Sequence, residues 1–66
     1  MKYSVLVNCE GTYRPTKKQV SYGEAHSEAA RRIEEGLGVQ VVQHGRYGDC
    51  VCCTSAGYPS TLVNVL

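Results

Sequence analysis

One short segment dictates most of what this chain can fold into. Ser21-Tyr22-Gly23-Glu24 matches a capping box, in which the serine hydroxyl accepts from the backbone N–H three residues on and the glutamate reaches back. Behind it, Ala25, Ala29, Ile33 and Leu37 recur every four residues, with Ala30 beside them. That spacing draws one apolar stripe along a helix over about residues 22–35. Val20 before the cap and Ala25 after it suit a hydrophobic staple. Alanine on the buried face lets such a helix lie close to a sheet, and Gly36 or Gly38 ends it through a left-handed cap. Glu28 with Arg32 and Arg31 with Glu35 make i,i+4 pairs expected on the solvent side, each contributing about 0.2–0.5 kcal/mol.

The remainder reads as strands. Residues 2–9 alternate, with Tyr3, Val5, Val7 and Cys9 facing inward and Lys2, Ser4, Leu6 and Asn8 outward. Glu10-Gly11 turns the chain, and residues 12–20 return as a second strand. Pro15 cannot donate to a ladder, which places that strand at an edge, and Lys17 and Lys18 discourage pairing with other chains. After the helix come strands over 39–44, 50–55 and 61–66, joined by turn-rich connections at 45–49 and 56–59. Nine valines against one isoleucine, with no phenylalanine or tryptophan, agree with a sheet built on valine. The expected fold is α+β: a single domain over 1–66, ordered ββαβββ, with an antiparallel sheet and one helix packed on one face. At this size a chain buries only about 60% of the surface its unfolded form exposes, and a second domain has no room.

The first apolar stretch is broken by Ser4 and stopped by Asn8, short of a signal-peptide core. No run approaches a membrane span. These features predict a reducing cytoplasm in which the four cysteines stay as thiols.

The cysteines invite a metal or redox reading. Cys50-Val51-Cys52-Cys53 contains a C-x-x-C, but it falls in a predicted strand, where residues three apart face opposite sides. No second C-x-x-C or His pair completes a zinc site, and Cys9 belongs at the other end of the sheet. A thioredoxin-like pair wants a helix N-terminus to lower its thiol pKa. The cysteines are therefore expected to serve as small core residues, with no metal and no cofactor. His26 and His44 are candidate bases, yet Asp49 is the only aspartate and the sequence brings no orienting group alongside. A ribonuclease using one histidine is the residual enzymatic option. Four of the six acids are accounted for as helix surface, and Gly45-x-x-Gly48 reads as a hairpin connection rather than a phosphate loop. No catalytic residues are expected.

Charge directs attention to binding. The net charge is +1, but residues 1–22 carry +3 and residues 23–36 carry −2. Tyr13-Arg14, Lys17-Lys18 and Arg46-Tyr47 combine cations with tyrosine, the pairing that binding hot spots use, and Tyr13, Tyr47 and Tyr58 concentrate in connections. If the first strand runs upward, the second descends, and the helix start and the 45–49 connection share the lower end. Lys17, Lys18, Arg46 and Tyr47 are thus expected to converge there, with the helix N-terminus adding partial positive charge. Tyr13, Arg14 and Tyr58 at the upper end form the second candidate surface. A charge of +1 is too small for tight unaided binding to nucleic acid, whose affinity rests on neutralising several phosphates.

In size and layout the chain resembles small phage-encoded anti-CRISPR proteins that inhibit type I surveillance complexes. The likeness lies in strands beginning near Met1, an alanine-rich helix containing Ser27-Glu28-Ala29-Ala30-Arg31-Arg32, and further strands to the end. It implies a non-enzymatic inhibitor in the host cytoplasm that docks on a Cas subunit and blocks nucleic-acid access. The opening strand-turn-strand-helix is also similar to antitoxins that neutralise small ribonuclease toxins, without their Pro-Gly-Cys-type stretch before the helix. A small protein-binding inhibitor is the expectation; a nucleic-acid-binding module or an antitoxin domain is the alternative.

Overall fold

The computed structural model describes residues 2–55 and the strand backbone at 63–64. Its elements are β1 (Lys2–Cys9), β2 (Thr12–Val20), α1 (Tyr22–Glu34), β3 (Val39–Gly45), β4 (Gly48–Ser55) and β5 (Val63–Asn64). All pairings are antiparallel, in the sheet order β2-β1-β3-β4-β5. The α+β class and the ββαβββ element order agree with the sequence reading. Tyr58 and the connection around it lie outside the described residues. With β1 drawn upward, β2 descends, α1 climbs back across one face, and β3 descends beside β1. Among the described residues no helix is long and apolar enough to cross a membrane.

Local chemistry sets the element ends. Glu10 and Gly11 take φ of 57° and 86°, the paired positive values that a two-residue type I′ hairpin turn requires. The Asn8 side-chain oxygen accepts the Gly11 N–H at 3.0 Å. Ser21 caps α1 by accepting the Glu24 N–H at 3.3 Å. At the other end Gly36, at φ 83°, donates to the Ile33 carbonyl while Leu37 donates to that of Arg32. This is a Schellman motif, and it selects Gly36 over Gly38 as the stop.

The core is Val5 and Val7 of β1, Val39 and Val41 of β3, Ala25 and Ala29 of α1, and Cys52 and Cys53 of β4. Tyr3, Val20, Ile33 and Leu37 close its rim. The expected helix stripe therefore meets the expected β1 face, although Cys9 is exposed at the strand end. Glu28 departs from expectation. It is buried, not solvent-facing, and its carboxylate receives Arg31 Nη2 at 2.8 Å and Arg32 Nε at 3.1 Å. Burial alone would raise its pKa. Hydrogen bonds from Arg31, Thr16 and Arg32, with the Arg31 charge, more than offset that and hold it at about 2.

Three register shifts reorganise the alternation. In β2, one irregularity falls around Thr16 and another around Lys18 and Gln19, since Leu6, Val5 and Tyr3 pair with Pro15, Lys17 and Val20. Gln19 sits at φ 55°, left-handed without being glycine. Each extra residue flips the faces beyond it. The pair of bulges thus turns Lys17 to the helix side, opposite Val5, and Lys18 to the open side, while Val20 still reaches the core. In β4, Val41 pairs with Cys53 and Val42 with Val51, leaving Cys52 as the extra residue. The bulge brings Cys50 and Cys53 onto the same face, opposite Gln43 and Val41, where simple alternation had set them apart.

Candidate functional site

On the sheet face away from α1, three strands place a serine, a histidine and an aspartate in one chain of hydrogen bonds. Ser4 lies mid-β1, directly opposite Val42 of β3, with His44 two residues further along β3. A diagonal neighbour is within reach of a long side chain, and Ser4 Oγ stands 2.6 Å from His44 Nε2. Gly45 pairs with Gly48 in the β3–β4 hairpin, which makes His44 and Asp49 direct cross-strand partners. His44 Nδ1 is 2.9 Å from Asp49 Oδ1.

The donors and acceptors fix the direction of the relay. An ionised carboxylate only accepts, so Nδ1 is the nitrogen that carries a proton toward Asp49, and whenever the ring is neutral Nε2 accepts from the Ser4 hydroxyl. The Gln19 backbone N–H, presented by the bulge, donates to Ser4 Oγ at 3.1 Å. The strained φ of Gln19 thereby aims an amide at the serine. The sequence reading denied His44 an orienting partner; the hairpin register supplies one. Asp49 is the more open member, with its side chain 58% exposed against 22% for His44, and Ser4 is 7% exposed overall.

These groups line a groove of about 300 Å³. Leu6, Pro15 and Val42 give it apolar walls, and Lys18 is the cation in its lining. Lys17 is absent from it. That side chain lines a separate groove on the helix side with Glu24, Glu28 and Arg31.

The expected basic end is therefore assembled in part. Arg46 and Tyr47 form the two-residue tip of the β3–β4 hairpin, both exposed, and Tyr47 is 94% accessible. Lys18 stands on the same open face as the relay and shares its groove with His44 and Asp49, whereas Lys17 is turned away among the helix acids. Tyr13 and Arg14 are at the upper end but on opposite faces, paired with Asn8 and Val7 respectively.

His26 is held elsewhere. Its ring stacks on Tyr22 at 4.2 Å, Tyr22 meets Tyr3 edge-on at 5.2 Å, and His26 Nε2 lies 4.0 Å from Cys53 Sγ. Burial, followed by the Cys53 thiol beside it, pushes the Cys52 thiol up to about 11, which disfavours a reactive thiolate there. Among the described residues no three His, Cys, Asp or Glu side chains gather to hold a metal.

No family model, curated protein or solved structure matches this chain. The functional reading accordingly rests on the geometry of the open face and of the hairpin tip.

Proposed function

We propose that the protein is a small protein-binding inhibitor whose contact surface is the lower end of the sheet, centred on Arg46 and Tyr47. The observation that carries this reading is Tyr47, 94% exposed at the apex of a tight hairpin with an arginine beside it. A large ring left in water forgoes the free energy that burying its apolar surface would return, about 25 cal/mol per Å². Arg and Tyr are the residue types that dominate binding energy once desolvated in a partner's pocket. Lys18, on the open face with His44 and Asp49, adds charge suited to an acidic protein groove or to a site normally occupied by nucleic-acid phosphate. The layout resemblance to type I anti-CRISPR inhibitors supplies the first partner to try: a Cas subunit, met in the host cytoplasm and blocked by occupancy.

The test is binding to purified type I surveillance complexes, measured with and without target DNA, for single alanine variants. Arg46→Ala and Tyr47→Ala are expected to weaken capture roughly tenfold or more, chiefly through faster dissociation. Lys17→Ala and Lys18→Ala should act mainly on association rate and salt dependence. Binding that survives loss of all four side chains would move the surface to Tyr13, Arg14 and Tyr58. A gel shift on free DNA, tight at low salt and collapsing as salt rises, would favour the nucleic-acid module instead.

A further inference from the structure

Blocking by occupancy needs no nucleophile, so the Ser4–His44–Asp49 relay is left without a role in that reading. We propose that this relay makes Ser4 an acyl-accepting nucleophile, and that the groove over it takes small carboxylic esters with a short apolar acyl chain and a negatively charged end. The inference goes beyond the binding surface: it concerns the groove floor, and its test scores chemistry rather than capture.

Nucleophilic serine catalysis is recognised by geometry and roles rather than by sequence position. It requires a base within hydrogen-bond reach of the hydroxyl and a third group that orients the base. Both distances are met here, at 2.6 Å from Ser4 Oγ to His44 Nε2 and 2.9 Å from His44 Nδ1 to Asp49 Oδ1. With the ring neutral and Nδ1–H held by Asp49, Nε2 is free to receive the serine proton. A further observation points the same way. Gln19 holds a left-handed backbone, strained in a residue other than glycine, and the amide so placed donates to Ser4 Oγ and fixes it against His44.

The step balances as ester hydrolysis. Ser4 Oγ bonds to the ester carbonyl carbon as its proton passes to His44 Nε2, and the imidazolium faces the Asp49 carboxylate. The Lys18 cation in the groove lining favours the negative charge that develops on the carbonyl oxygen, while the Gln19 N–H, which donates to Ser4 Oγ, holds the hydroxyl in place. The carbon–oxygen bond to the leaving group then breaks, and the leaving alcohol takes the proton from His44. Water attacks the acyl-serine, passing its proton through His44 back to Ser4, and the products are an acid and an alcohol. The substrate class follows from the walls. Leu6, Pro15 and Val42 accept a short apolar chain, and Lys18, which lines the groove from β2 while the Asp49 carboxylate lines it from β4, pairs with an anionic end held away from Asp49.

Two readouts on the full chain test this. The first is covalent labelling with a fluorophosphonate, mapped by mass spectrometry. The second is release of 4-nitrophenol from its acetate and from its succinate monoester. The exposed thiols Cys9 and Cys50 also attack activated esters, so they are alkylated beforehand. The expected result is one adduct, on Ser4, absent in Ser4→Ala, with hydrolysis falling about a hundredfold in His44→Ala and about tenfold or more in Asp49→Asn. Lys18→Ala should lose the preference for succinate over acetate. Asp49 is exposed on a hairpin, so its asparagine variant is expected to keep the native melting profile and to report on chemistry alone. The proposal is overturned if folded wild-type protein takes up no label at Ser4. It is equally overturned if Ser4→Ala or Asp49→Asn hydrolyses at the wild-type rate.

Discussion

Replacing Glu28 by glutamine should remove most of the acid sensitivity that α1 confers on the fold. The wild-type carboxyl is buried and titrates at about 2, against an ordinary 4.5. A carboxyl with a depressed folded pKa contributes stability that is fully present above its unfolded value. That stability is lost as pH falls from 4.5 through about 2. The full difference amounts to about 3 kcal/mol. Arg31 keeps 58% of its side chain in water, and solvent screening lowers the realistic contribution to about 1–2 kcal/mol. For a domain of this size that is a shift of about 5–15 °C in melting temperature. Thermal melts followed by circular dichroism at steps from pH 7 to pH 2.5 read it directly. Wild type should exceed Glu28→Gln by that margin at pH 7, and by pH 2.5 the gap should shrink to about a quarter of it, because the folded carboxyl still titrates at about 2. The remaining carboxyls titrate in both proteins and cancel in the difference. A gap that is constant across the range, or no gap at pH 7, would refute the assignment of Glu28 as a charged anchor.

Two further stability experiments follow from the packing. Val5 is fully enclosed, so Val5→Ala should cost about 2–3 kcal/mol in urea unfolding. Ile33 lies on the rim, so Ile33→Ala should cost less, about 1–2 kcal/mol despite deleting more atoms; the reverse order would misplace the centre of the core. Gly36→Ala should destabilise by about 1 kcal/mol because of its φ of 83°. Gly23→Ala, where an added methyl meets open space on a helix, should stabilise by about 0.5–1 kcal/mol. Equal melting temperatures for these two glycine variants would contradict the cap assignment.

The helix was legible because each of its signals is a residue type at a spacing: Ser21 and Glu24 for the cap, Ala25 to Leu37 for the stripe, Gly36 or Gly38 for the stop. The β1 face was legible for the same reason. Bulges carry no such signature. Nothing about Thr16, Lys18 or Cys52 as residue types announces an extra position in a ladder, and Gln19 occupies a conformation that glycine usually marks. The separation of Lys17 from Lys18 onto the helix side and the open side followed from that, as did the shared face of Cys50 and Cys53. Glu28 was misread because a helical wheel sees only the helix, whereas its burial comes from β2 lying over it. The relay depended on a pairing of β1 with β3, and strand order is not encoded in alternation. One part was within reach: a two-residue turn between Gly45 and Gly48 sets residue 44 against residue 49, which pairs His44 with Asp49.

The seam between β1 and β3 also has a kinetic meaning. Its partners are 32 to 42 residues apart, from Val7 with Val39 to Lys2 with His44, whereas β1–β2 and β3–β4 close over short turns. Hairpins form in about 1–10 μs, while closing the long loop first costs chain entropy that only later contacts repay. The chain thus divides into two local halves joined through α1. The Gln19–Ser4 bond lies within the first half and the His44–Asp49 pair within the second. Of these three relay bonds, Ser4–His44 is the one that crosses between them. The relay is completed by the slowest docking event in the molecule, so cutting the chain within α1 would yield two fragments, each holding half of a reactive centre that neither completes alone.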